Sequence, residues 1–129
     1  MRLEQRFEVA EGVSPNCTGS AEGMIIVACE YYGIDPAIPL AIARLETGNF
    51  TSRAFAECNN VGGMSINEVP ITYKSLEDGV DAFVANLAKN YFSIGFDTPE
   101  RISQKYCPSN AEAWAEAVRG LMKGENFEL

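Results

Sequence analysis

A carboxylate in the last turn of a helix faces the negative pole of the backbone dipole, and Glu46 takes that position in the segment from Asp35 to Gly48. At about 100° per residue it falls roughly 40° past Ile42, at the edge of the apolar stripe Ile38, Ala41, Ile42 and Leu45. Partial burial and the helix end both oppose the ionised form, so the spacing predicts a raised pKa. A carboxyl that stays protonated near neutral pH is what general-acid catalysis needs. Arg44 lies on the opposite flank and leaves Glu46 unneutralised within its own helix. Position alone also fits a solvent-exposed Glu at a helix end, so the neighbouring residues must decide.

Other chemistries are excluded by what the sequence lacks. It contains no histidine, which removes Ser-His-Asp and Cys-His nucleophiles as usually built, and His-ligated zinc. Neither GxxxxGK[ST] nor GxGxxG occurs, so nothing marks a phosphate cradle. Cys17, Cys29, Cys58 and Cys107 form no CxxC and match no zinc spacing. Cys29 reads as a small buried hydrophobe, whereas Cys58 and Cys107 fall in loops where they could pair. Carboxylates, tyrosines and backbone groups are left to act, with no metal or organic cofactor. Ten basic against eighteen acidic residues give a formal charge of −8, and without a basic run a nucleic-acid groove is not expected. The apolar run Met24–Cys29 is too short to cross a bilayer, and the N-terminal residues show no apolar core of a signal peptide.

A chain of 129 residues suits one domain. Residues 1–19 read as an arm broken by Gly12, Pro15 and Gly19, and residues 20–124 as the folded domain. Ser20 caps a first helix whose largely apolar stretch from Met24 to Tyr32 predicts burial on more than one side, with Gly33 at its end. Asp35 and Pro36 open the helix that carries Glu46. Residues 49–63 read as a polar loop, and Met64–Ile66 and Ile71–Tyr73 as a small hairpin around Asn67-Glu68-Val69-Pro70. Ser75 and Asp78 form a capping box ahead of Leu76, Val80, Phe83, Val84, Leu87 and Tyr91. Thr98-Pro99 starts a short helix to Tyr106, and Asn110 caps a last one with Trp114, Ala117, Val118 and Leu121 inward. The expected class is mainly α, about five helices around one core with a minimal β-hairpin lobe.

Leu45-Glu46-Thr47-Gly48, then Ser52, then Asn59-Asn60-Val61-Gly62-Gly63-Met64 resembles the glucosaminidase family of bacterial and phage wall hydrolases. That family shows a Glu-Ser-Gly turn followed by Ser, Asn-Asn and Gly-Ile at these offsets. Thr47 stands where Ser is commoner and preserves a turn hydroxyl. Tyr73-Lys74-Ser75 with Asp81-Ala82-Phe83 is similar to the family's Tyr-x-Ser helix entry, and Tyr106-Cys107-Pro108 with Trp114 to its closing segment. Tyr32-Gly33-Ile34-Asp35-Pro36 is similar to the lead-in of lysozyme-like folds. The resemblance covers about residues 20–122.

It implies a lysozyme-like fold and cleavage of β-1,4 links in peptidoglycan as an N-acetylglucosaminidase, with Glu46 protonating the leaving oxygen. Glycoside hydrolysis commonly uses a second carboxylate, and Glu68 on the hairpin is the preferred partner. Asn60, Gly63 and Met64 would form a cleft floor, with Gly admitting glycan to the backbone. Tyr73 and Tyr106 would stack on sugars or donate hydrogen bonds to them. Trp114 reads as core. The implied partner is the glycan strand, met by a monomer at the bacterial cell wall, outside the cell or delivered by a phage. Lytic transglycosylases share the Glu-Ser-x turn, and Gly62-Gly63-Met64-Ser65 partly matches their Gly-Leu-Met-Gln, with Ser65 replacing Gln. A muramidase or transglycosylase is therefore the alternative on the same polymer. A non-catalytic wall-binding or assembly module is the alternative of another class, against which Glu46 argues.

Overall fold

The computed structural model describes residues 20–123, so the expected arm at residues 1–19 and the helix stop at Gly124 lie outside the described residues. Among the described residues, six α-helices and one two-stranded sheet follow in order: α1 (Ala21–Tyr32), α2 (Ala37–Thr47), α3 (Arg53–Cys58), β1 (Ser65–Ile66), β2 (Val69–Pro70), α4 (Leu76–Asn90), α5 (Pro99–Tyr106) and α6 (Ala111–Met122). The mainly helical class with a minimal hairpin is thus the observed one. No described helix is long and apolar enough to cross a membrane.

Local signals set the helix ends. Ser20 accepts a hydrogen bond from the Gly23 amide, and Gly33 closes α1 in the left-handed region at φ +78. Asp35 accepts from the Ala37 amide at 2.8 Å, so Pro36 stands just ahead of α2. Ser75 caps α4 through the Asp78 amide, and Thr98 caps α5 through that of Arg101. Asn110 departs from expectation, because it makes no side-chain cap bond. A 3₁₀ turn over Pro108–Asn110 already leads the chain into α6.

Three further expectations are corrected. α1 buries Met24, Ile25, Ala28 and Cys29 on one side, while Ile26 is 45% exposed. The run is apolar all round, but only one face finds a partner, chiefly α4. The supposed loop of residues 49–63 contains α3, capped by Ser52 and closed by left-handed Asn59. Six residues make less than two turns, too few for periodicity to declare itself. The hairpin is also tighter than expected, with Ser65 paired to Pro70 and Ile66 to Val69. Asn67 and Glu68 alone form its turn, both with positive φ, as twisted two-residue hairpin turns require.

The core gathers Ile25, Ile42, Val61, Val80, Phe83, Leu87 and Ile102, each essentially solvent-free. α1 lies on α4, and α6 lies on both α2 and α5, which brings the last turn of α2 beside α6. α4 also comes down on the Asn59-Asn60 segment at Gly79, where a Cβ would stand 1.8 Å from the Asn59 carbonyl oxygen. The Cys29 thiol is buried, and burial pushes its pKa up to about 12. Cys58 and Cys107 are free thiols, so the pairing contemplated for them is not made; Cys17 lies outside the described residues.

Candidate active site

Glu46 is the penultimate residue of α2 and is half-buried. The turn behind it is held by Thr47, whose buried hydroxyl donates to the Ala43 carbonyl at 2.6 Å and accepts from the Phe50 amide at 2.7 Å. The Thr47 carbonyl accepts from Thr51 and Ser52 amides, both at 2.9 Å. Glu46 therefore projects from a fixed rather than a frayed helix end. Arg44 is committed elsewhere, to Glu22 of α1, as its opposite flank predicts.

The two carboxyl oxygens of Glu46 have different neighbours. Oε2 accepts a hydrogen bond from Nε1–H of Trp114 at 2.9 Å. Oε1 lies against Gly63, where an added Cβ would come within 2.4 Å of it. Burial raises the Glu46 pKa, and the Trp114 hydrogen bond opposes part of that rise. Trp114 stacks on Tyr106 with centroids 5.3 Å apart and planes 27° apart. The Tyr106 hydroxyl donates to the Gly62 carbonyl, next to the glycine that touches Glu46. Burial, aided by the nearby Glu46 charge, pushes the Tyr106 phenol well above its ordinary range, so it stays neutral.

Gly62-Gly63-Met64 is pinned from beneath by Asn60. Its side-chain amide donates to the Met64 and Ile71 carbonyls at 2.8 and 2.9 Å and accepts from the Met64 amide at 3.1 Å. Asn60 is only 1% exposed. Both N–H donors of this buried amide are taken, so Asn60 supports the loop from below. Asn59 does similar work, donating to the Tyr73 carbonyl at 2.9 Å. Tyr73 is half-buried, with its hydroxyl 3.5 Å from the Met64 sulfur. Glu46, Gly63, Met64, Tyr73 and Tyr106 are thus linked through one loop. Glu68 lies in the exposed hairpin turn.

Residues 23–127 match a family model described as mannosyl-glycoprotein endo-beta-N-acetylglucosaminidase. The chain belongs to the glucosaminidase family. That family is one of peptidoglycan glycosidases, whose substrate lies in the cell wall. No curated protein matches the chain.

Sequence reasoning missed one neighbour of Glu46. Trp114 is core by burial, at 6% exposed, yet it is also the hydrogen-bond partner of Glu46. The available signal was chemical: a buried indole N–H donates only and needs an acceptor. Concavities of about 470 Å³ between α5 and α6 and about 390 Å³ beside Phe92 and Met122 are lined by neither Glu46 nor Trp114.

Gly63 supplies a direct check on this geometry. Gly63→Ala places an L side chain at φ +67, which costs about 1–2 kcal/mol on conformation alone. The new methyl group also displaces Oε1, so wall lysis should fall by about tenfold or more while the domain still folds. Urea denaturation beside a lysis assay checks both effects, and an active, fully stable variant would contradict the contact.

Proposed function

We propose that this chain hydrolyses β-1,4 glycosidic links of peptidoglycan as an N-acetylglucosaminidase, with Glu46 as general acid. The observation that carries the reading is the environment of Glu46: half-buried, with a raised pKa, one oxygen held by Trp114 and the other beside the exposed Gly63 backbone. Protonation of the leaving oxygen needs a carboxyl that is both neutral at working pH and fixed in direction. Gly63, Met64, Tyr73 and Tyr106 surround or support that carboxyl and are the proposed substrate-side residues. Tyr106 contributes by holding the Gly62 carbonyl rather than through a free hydroxyl.

Glu68 is the proposed second carboxylate, acting from the hairpin. Its substitution separates the mechanisms that Glu46 can serve. If Glu68 assists water or forms the glycosyl intermediate, Glu68→Gln should cut turnover by about a hundredfold with little change in melting. Parental turnover would instead indicate attack by the substrate's own N-acetyl group or C6 hydroxyl, with Glu46 serving first as acid and then as base.

Mass spectrometry of digested walls tests the bond assignment. New reducing-end N-acetylglucosamine supports the proposal. Reducing-end or anhydro-N-acetylmuramic acid would transfer the chain to the muramidase or transglycosylase reading, and no release would leave a wall-binding module.

A further inference from the structure

We propose that Trp114 is a positioning residue that selects which oxygen of Glu46 gives up the proton: the indole holds Oε2, and Oε1 is the donor. The inference rests on Glu46 being the acid. An indole N–H can only donate, so at 2.9 Å it requires Oε2 to be an acceptor. In a neutral carboxyl the carbonyl oxygen is the better acceptor, which leaves the hydroxyl on Oε1. That oxygen lies against Gly63, which is exposed and where a Cβ would overlap it at 2.4 Å. Any other residue at position 63 would cover the oxygen that must reach substrate.

The indole is itself held. It stacks on Tyr106 of α5, and the Tyr106 hydroxyl is bonded to Gly62. The contacts form a circuit from Glu46 on α2 through Trp114 on α6 and Tyr106 on α5 to Gly62-Gly63, and back to Glu46. Twisting the carboxyl about its axis breaks the indole bond. The groups that face Glu46 are neutral. Trp114 does not titrate, Tyr106 stays protonated, and the positions at 62 and 63 are backbone. Arg44, on the same helix, is bound to Glu22.

The same hydrogen bond serves after transfer. The proton passes from Oε1 to the glycosidic oxygen, which takes the electron pair of the breaking carbon–oxygen bond; the sugar carbon is left as the cation that the nucleophile captures, and the negative charge stays on Glu46. The indole N–H then bonds a charged acceptor, which strengthens it. Trp114 thus favours the conjugate base and keeps the pKa from rising as far as burial alone would carry it.

Trp114 is the sole tryptophan, so the ¹⁵N-labelled full chain shows a single indole N–H resonance. That resonance should move with pH, at a midpoint equal to the alkaline limb of wall lysis, and should stay flat in Glu46→Gln. Trp114→Phe keeps a ring on Tyr106 but no N–H. It should lower lysis by about tenfold or more and move the alkaline limb up by about one pH unit. A merely structural role would lower the rate without moving the limb. An indole that does not titrate in the parent chain, or a folded Trp114→Phe with the parental limb, overturns the proposal. Should Trp114→Phe fail to fold, the parent indole titration decides alone. Lysis by Glu46→Gln would remove the acid assignment, while a titrating indole would still show the hydrogen bond.

Discussion

Gly79→Ala should lower the melting temperature by about 5 °C, although helix propensity argues for the opposite sign. Gly79 is buried inside α4, where Ala is intrinsically better than Gly by about 0.8–1 kcal/mol. A Cβ there would stand 1.8 Å from the Asn59 carbonyl oxygen. That obstacle is backbone and has no rotamer to escape into. It is also anchored, since the Asn59 amide donates to Phe55 at 3.1 Å and its side chain to Tyr73 at 2.9 Å. Overpacking of this kind costs about 1–3 kcal/mol and sometimes more, which outweighs the propensity gain. Any relief must push α4 away from Asn59-Asn60, the segment that supports Gly63. Lysis should therefore fall along with stability. Calorimetry of the variant checks the sign, and an unchanged or higher melting temperature would contradict the close approach.

The places where sequence reading succeeded and failed follow from the range of the signals. Caps act over three residues, so Ser20, Ser75 and Thr98 could be read directly from the chain. The α2 stripe spans enough turns to set its phase, and the position of Glu46 at the stripe's edge followed from that phase. α3 escaped because it is too short to show a period. The hairpin turn was placed too wide because Asn67-Glu68 lacks the glycine that usually marks such turns. The burial of Asn60 and the bond from Trp114 depend on contacts with Ile71 and with Glu46, 11 and 68 residues away in the chain. Such pairings are properties of the packed helices, and a single sequence shows only that a buried indole must find some acceptor.

Glu46→Gln should reduce wall lysis by at least about a hundredfold, because general acid catalysis contributes about 10²–10⁴-fold. Gln keeps the size of Glu and an oxygen able to accept from Trp114, but it has no acidic proton. The fold should not suffer. Burial raises the Glu46 pKa above its unfolded value, so the neutral carboxyl is the form the fold prefers. The stability tied to that preference is fully present below the unfolded pKa and is lost as pH rises through the folded one. Gln never ionises and escapes that loss. The variant's melting temperature relative to the parent should accordingly increase as pH climbs from the ordinary carboxylate range toward neutrality.

The proposed role of Glu46 is that of proton donor for glycosidic cleavage. Its most direct test is the wall-lysis rate of Glu46→Gln, measured on purified peptidoglycan beside the thermal melt of the same preparation. The variant should melt at or above the parent temperature near neutral pH and lyse walls at about one-hundredth of the parent rate or less. A folded variant that still lyses walls at more than about a tenth of the parent rate would contradict it.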